Sequence, residues 1–399
     1  MENVYERLGV ATLINANGPS TRLSGGLLHA EVVAAMAEAS QACVDMTVLQ
    51  ARASELIVEA TGAEAGIVTS GAAAGLLLAT AACVTGLDPG RMNRLPDTRG
   101  MPNEVVMVRS QRNGYDHAIR TAGVTIVEVG LPDRFAGAGV RDAEAWELAD
   151  AIGERTAALV WVAGALARPP LEAVVEVAQH AGVPLIIDAA AELPPASNLR
   201  RFVVTGADLV VFSGGKAIGG PQASGILCGR RDLITAAVLQ SLDLDVRLDE
   251  WEPPRTLIDT ARLKGLPQHG IGRACKVGKE EIIGLLVALR RFRAESEEAR
   301  AARWQGRAES LRDAIGELFD ASVRVVTGDP VPKVELAFTV DGPFRAVDLL
   351  RRLRTGRPSI HADGSASEAG RVAFNPVCLR DEDVATVAAA VQTAVGRNR

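Results

Sequence analysis

The chain has 399 residues, 48% of them hydrophobic, and a formal net charge of −6. That length and apolar content support a large core spread over two or three structural units, and the acidic balance argues against a general nucleic-acid or anionic-membrane binder. The five cysteines (Cys43, Cys83, Cys228, Cys275, Cys378) form no CxxC pair and the five histidines (His29, His117, His180, His269, His361) include no close pair of metal-ligand type, so no metal site or disulfide framework is indicated. The opening "MENVYERLGVATLINANG" lacks the basic start and apolar core of a signal peptide. No apolar run reaches membrane-spanning length. A soluble, reduced, cytoplasmic protein is the expectation.

Between about Ala65 and Gly229 short apolar runs alternate with helical patterns. The strand candidates are "GIVTS" (66–70), "EVVMV" (104–108), "VTIVEV" (124–129), "AALVWVA" (157–163), "VPLIID" (183–188), "DLVVFS" (208–213) and "SGILCG" (224–229). Most are unbroken, as expected of strands covered by helices on both faces. Helical patterns fall between them: "AAAGLLLATAACV", "DAEAWELADAI" and "LEAVVEVAQHAG", the last ending on Gly182 with Pro184 just beyond. The pattern is that of an α/β protein with a mainly parallel seven-stranded sheet. Only the loop around Lys216 separates the last two strands, too little for a helical crossover, so the last should be antiparallel. Beyond Gly278 a charged stretch through Phe319 reads as one long helix. A small α/β unit follows, with strands near 334–340 and 371–374 and a helix at 381–396. The expected organisation is an N-terminal segment (1–60), a large sheet domain (61–276), and a long helix with a small C-terminal domain (277–399).

Three places in this layout carry chemistry. "TSGAAAG" (Thr69–Gly75) follows a strand and opens a helix, so unpaired N–H groups and the helix dipole converge there. Ser70 can add a hydroxyl, Gly71 allows close approach, and Ala72 begins the helix: a phosphate fits, although the spacing is neither a Walker loop nor GxGxxG. A tight strand–helix turn of small residues is the alternative. Asp188 closes an apolar strand at the carboxyl edge of the sheet, where a carboxylate is costly without a positive partner and where open α/β sheets bind ligands; a plain loop or capping aspartate is the other reading. Lys216 lies at the end of the next strand in a glycine-rich loop, where poor solvation lowers an amine's pKa and makes it nucleophilic. It could equally be a surface lysine. Together, a phosphate cradle, a strand-end carboxylate and a strand-end lysine are what pyridoxal phosphate needs: a Schiff-base amine, a partner for the pyridine nitrogen and a phosphate site. Ser213 could add a hydroxyl to the phosphate, and His117, or less well Tyr115, could stack on the ring.

The blocks "DLVVFSGGKAIGGPQASGILCGRRDLI", "VPLIIDAAAELPP", "GAEAGIVTSGAAAGLLLA" and "GRACKVGKEEIIGLL" resemble the selenocysteine-synthase-like branch of the fold-type-I pyridoxal-phosphate enzymes. That branch includes L-seryl-tRNA selenium transferase and D-glucosaminate-6-phosphate ammonia lyase. The resemblance begins at "LINANG" and covers nearly the whole chain. It implies that Lys216 is the Schiff-base lysine and Asp188 the pyridine-nitrogen partner. It also implies that Ser70, Gly71, Ala72 and Ser213 hold the phosphate and that His117 stacks on the ring. Arg273 and Lys276 would then approach an active site, its own or that of the neighbouring subunit, since this fold builds its sites at a dimer interface. A homodimer or larger homo-oligomer is expected.

Within the branch, the selenium transferase carries an additional N-terminal tRNA-binding region. Here the "INA" segment already stands at Ile14–Ala16, and the "TNLGR"-like element is altered to "TRLSGG" (Thr21–Gly26). The ammonia-lyase type resembles the chain better in "AELPP" and "KVGKEE". The expectation is therefore a lyase that removes ammonia from a small β-hydroxy amino acid and leaves a 2-oxo acid. Racemisation, aldol cleavage and tRNA-dependent selenium transfer are the alternatives. Arg22 and Arg112 are candidates for a second substrate phosphate, Arg357 or His361 for a substrate carboxylate.

Overall fold

The computed structural model describes residues 3–131, 142–319, 321–327, 331–339, 342 and 344–396. Its strands, in chain order, are β1 (Leu13–Ala16), β2 (Ala65–Thr69), β3 (Glu104–Val108), β4 (Thr125–Val129), β5 (Thr156–Val162), β6 (Leu185–Asp188), β7 (Leu209–Ser213), β8 (Gly225–Gly229), β9 (Ala321–Val326), β10 (Lys333–Phe338), β11 (Ser359–Ala362) and β12 (Arg371–Phe374). The chain divides into two compact units, Leu28–Arg293 and the combination of Met1–Leu27 with Ala294–Arg399.

The larger unit is built on a seven-stranded sheet of order β2-β8-β7-β6-β5-β3-β4. All pairings are parallel except the two made by β8, so β8 is the antiparallel strand expected from the short Lys216 loop. The unbroken apolar runs follow from burial on both faces. Val106, Leu159, Ile187, Val210, Phe212 and Ile226 pack into one core, while Val105, Val160, Ile186, Leu209, Val211 and Leu227 pack into the other. Leu209, Val210, Val211 and Phe212 are each fully buried, and burying a side chain of that kind contributes roughly 1.5–3 kcal/mol.

β2 lies at one edge of this sheet, and its outer backbone groups are satisfied by side chains. From the helix Met46–Thr61, the Gln50 amide accepts from Val68 N–H at 3.0 Å and donates to Val68 C=O at 2.8 Å, while Ser54 Oγ accepts from Gly66 N–H at 3.0 Å. A side-chain amide standing in for a neighbouring strand closes an edge that would otherwise invite pairing with another chain.

The smaller unit holds a three-stranded antiparallel sheet, β12-β10-β9, and the parallel pair β1-β11. Its core includes Leu311, Ile315, Leu336, Leu349, Ile360, Phe374 and Val387.

Three expectations change. The boundary expected near residue 276 falls at Arg293, and residues 28–60 join the large unit while residues 1–27 join the small one. The charged stretch beyond Gly278 is two helices, Lys279–Ala294 and Glu297–Ile315. Ser296 separates them: its hydroxyl accepts from Ala299 N–H at 3.1 Å and caps the second helix. The strand expected at 334–340 spans Lys333–Phe338, and Val340 lies outside the described residues. No helix among the described residues is long and apolar enough to cross a membrane.

Candidate active site

Strand register brings the three sequence motifs to one edge of the large sheet. β8 runs between β2 and β7, and its Gly225 is level with Thr69 on one side and Ser213 on the other. Because β8 is antiparallel to both neighbours, β2 and β7 end at the same edge. β6 is parallel to β7 and ends there too, with Asp188 level with Val211. The turn after β2, the Asp188 carboxylate and the loop carrying Lys216 therefore share the carboxyl edge of the sheet, where open α/β folds bind ligands.

The turn after β2 is shaped for an anion. Gly71 caps the helix Ala72–Thr85 with φ of +97°, a left-handed backbone conformation that disfavours side chains, and among the described residues no side-chain hydrogen bond caps the helix start. Opposite it, a Cβ on Gly225 would lie 2.6 Å from the Gly71 carbonyl carbon and 2.8 Å from Ala72 N. Only glycine lets β8 pass this close. Ser70 Oγ donates to Cys275 C=O at 2.7 Å, which ties the segment Ile271–Cys275 to the turn. Ser213 Oγ makes no hydrogen bond among the described residues.

Asp188 and Lys216 are polar groups held in a poorly solvated place with few partners. Asp188 is 8% exposed, and its carboxylate accepts one hydrogen bond, from Ala190 N–H at 3.1 Å. Burial pushes its carboxyl above the usual range, against the pull of that N–H and of the Lys216 charge. Burial likewise holds the Lys216 amine below the usual lysine range, opposed by the charges of Asp188 and Glu192. Lys216 makes no ion pair among the described residues. A lowered amine and a carboxylate with spare acceptor capacity suit an aldehyde and a protonated ring nitrogen, and the uncapped helix start suits a phosphate. The residues present fit pyridoxal phosphate.

The other sequence candidates fall in different places. His117 comes nine residues after the end of β3, a strand that ends at the same carboxyl edge as β6; it is exposed in the helix Asp116–Thr121, with Nδ1 3.1 Å from Arg120 Nη2. Arg112 was expected to be available for a substrate phosphate, but it is engaged: Nε donates to Asp116 at 2.6 Å and Nη1 pairs with Glu128. Arg273 and Lys276 line a cavity of about 530 Å³ beside Thr69, together with Gln50, Asp243 and Trp251. Arg273 pairs there with Asp243 at 2.9 Å, while Lys276 is exposed. In the small unit, Arg22 lies near enough to His361 for its charge to add to burial in lowering the imidazole below its usual range, as does that of Arg354. Arg357 instead lines a separate groove with Leu353 and Ala389. Glu192 was not among the sequence candidates, yet its charge acts on Lys216; the signal was an acid four positions after the strand-end aspartate.

A doubly covered α/β sheet with a lysine, a carboxylate and an uncapped helix start on its carboxyl edge defines an enzyme of the fold-type-I pyridoxal-phosphate class. The family model for L-seryl-tRNA selenium transferase (SelA) matches residues 21–252. The chain is 34% identical over 389 residues to a 5'-C-glycyluridine monooxygenase-decarboxylase from a Streptomyces species, covering 94% of this chain and 88% of that one. It is 33% identical over 399 residues to the D-glucosaminate-6-phosphate ammonia lyase of Salmonella typhimurium, covering 97% and 96%. A solved structure of D-glucosaminate-6-phosphate ammonia-lyase matches with a TM-score of 0.80 and 31% identity over 99% of both chains. The chain belongs to the SelA family.

Proposed function

We propose that the protein is a pyridoxal-phosphate-dependent lyase that eliminates the β-hydroxyl of a small amino acid, giving a 2-oxo acid and ammonia. The observation that carries this reading is the full-length likeness, in sequence and in fold, to an ammonia lyase. The convergence of Asp188 and Lys216 at the strand ends supports it. When bound, pyridoxal phosphate supplies an aldehyde that condenses with amines and a ring that withdraws electrons from the substrate's α-carbon.

The chain's own groups do the rest. Lys216 would anchor the cofactor through its amine, and the same amine would be available as a base once the substrate is bound. Lys216 Nζ, which burial holds below the usual lysine range, then accepts the α-proton. Asp188 would hold the ring nitrogen of the cofactor through the carboxylate oxygen that Ala190 N–H does not occupy. The N–H groups of Ala72 and its neighbours, with Ser213, hold the phosphate. Ser70 joins them by turning its hydroxyl away from Cys275. The leaving hydroxyl departs as water with a proton from Lys216, and the released dehydro amino acid hydrolyses to the 2-oxo acid and ammonia. The enzyme works in the cytoplasm as a homodimer or larger homo-oligomer. Val44, Val48 and Leu56, exposed around the helix Met46–Thr61, support such an assembly.

A second reading has its own support, because a relative of similar identity, 34% against 33%, is named a monooxygenase-decarboxylase. One experiment separates the two. The purified protein is loaded with pyridoxal phosphate and mixed with D- and L-amino acids, including β-hydroxy compounds, while ammonia, 2-oxo acid, carbon dioxide and oxygen uptake are followed. A band near ~420 nm that is lost in Lys216→Ala, with turnover falling by roughly 10³-fold or more, is expected of a Schiff-base lysine. Ammonia and a 2-oxo acid without oxygen uptake support the lyase. Oxygen uptake with carbon dioxide release replaces it with the second reading.

A further inference from the structure

A chain of alternating charges runs along the sheet edge beside β4 and ends on His117. Arg109 Nε donates to Glu128 at 2.9 Å, and the other Glu128 oxygen takes Arg112 Nη1. Arg112 Nε donates to Asp116 Oδ2 at 2.6 Å, and Asp116 Oδ1 accepts from Arg120 Nε at 3.0 Å and Nη2 at 2.9 Å. Arg120 Nη2 also lies 3.1 Å from His117 Nδ1. Asp116 is 6% exposed. Burial alone would raise its carboxyl, but the hydrogen bonds from Arg112 and Arg120 hold it below the usual range. The carboxylate is therefore a fixed anchor for Arg120.

A guanidinium has five N–H donors and no acceptor. Its contact with His117 Nδ1 is a hydrogen bond only if that nitrogen presents its lone pair, which leaves the ring proton on Nε2. We propose that Arg120, braced by Asp116, is a positioning residue that holds His117 in its Nε2–H tautomer and so makes the imidazole a hydrogen-bond donor at the active site. This rests on the reading of His117 as a site residue. With Nδ1 occupied, the ring cannot serve as a base through that atom. The polar atom it offers to a cofactor or substrate oxygen is a donor. A neutral imidazole held in one tautomer by its neighbour is a known way to polarise an oxygen without transferring a proton.

The test is nitrogen-15 NMR of full-length protein labelled at its histidines, with and without pyridoxal phosphate, the His117 signal being assigned by its loss in His117→Gln. In the unsubstituted protein Nδ1 is expected to show the shift of an unprotonated nitrogen and Nε2 that of an N–H. Arg120→Ala should lower that tautomer preference by about ten- to a hundred-fold, the worth of a hydrogen bond from a charged donor. Arg120→Lys, which keeps a donor, should restore part of it. Unchanged signals from the other histidines show that the fold survives. A proton on Nδ1 in the unsubstituted protein, or a tautomer unmoved by Arg120→Ala, overturns the proposal. If the tautomer behaves as stated but His117 does not respond to pyridoxal phosphate, the assignment of His117 to the site fails and so does the donor role.

Discussion

Two regions of the molecule bury charge, and they do so in opposite ways. At the start of the helix Glu297–Ile315, Arg300 is 1% exposed, yet its guanidinium meets Glu295 Oε2 at 3.3 Å, Glu297 Oε1 at 2.8 Å and the Glu295 carbonyl at 3.1 Å. At the carboxyl edge of the large sheet, Asp188 is nearly as buried but accepts one hydrogen bond, and Lys216 has no ion pair among the described residues. A buried charge paired with carboxylates of its own turn is a structural device: it stabilises the turn between two helices. A buried charge left under-satisfied costs folding free energy, which a binding partner can recover. Burial alone does not mark a functional residue. Burial with spare bonding capacity does.

That contrast can be broken by substitution, most sharply where the charge is paired within the protein. Arg300→Ala leaves Glu295 its two hydrogen bonds from Arg303 but empties a packed, buried site. It should cost about 2–5 kcal/mol in urea unfolding, with cofactor binding by the protein that remains folded unchanged. A cost below about 1 kcal/mol would mean that the network is ornamental. Gly225→Ala attacks the other region sterically, since its Cβ would press on the Gly71–Ala72 backbone. A loss of about 1–3 kcal/mol is expected, together with faster release of pyridoxal phosphate on dilution, because the phosphate turn must move.

Asp188→Asn sharpens the comparison through pH. Burial raises the Asp188 carboxyl in the folded state, so its contribution to stability is fully present below the ordinary aspartate pKa of 3.8. It is lost as pH rises through the raised folded value. The cofactor-free parent protein should therefore lose stability relative to Asp188→Asn as pH rises above that range, while the variant loses activity. Parallel stability curves for the two proteins would contradict the raised carboxyl. The smallest effect belongs to Arg112→Ala. Its partners Asp116 and Glu128 lie within the protein and the side chain is partly exposed, so up to about 1 kcal/mol of stability is at stake. KM should stay the same. A large rise in KM would return Arg112 to the list of substrate contacts.

The main sheet was legible in the sequence because its strands are covered on both faces, and two-sided burial writes an unbroken apolar run. The seven candidate runs overlap the seven strands, with ends differing by no more than two residues. β9 left no such mark: in "ASVRVV" half- and fully exposed side chains alternate, which reads as no strand in particular. The helix break at Glu295–Ser296 was overlooked although a capping serine followed by Glu297 and Glu298 was visible, because charged helical composition continues on both sides.

For the site the division is similar. Lys216, Asp188 and the Ser70–Ala72 turn are local features: a charged or glycine-rich residue ending an apolar run shows itself without any knowledge of neighbours. The engagement of Arg112, the tie from Ser70 to Cys275 and the influence of Glu192 on Lys216 could not be read that way. They join residues 16, 205 and 24 positions apart. Sequence alone determined which side chains could do chemistry and at which strand ends they stand, because hydrophobic periodicity and chain connectivity are encoded residue by residue. Tertiary structure decided which of those groups were already satisfied by a distant partner and which kept bonding capacity to spare, because hydrogen bonds and ion pairs are settled by proximity in space.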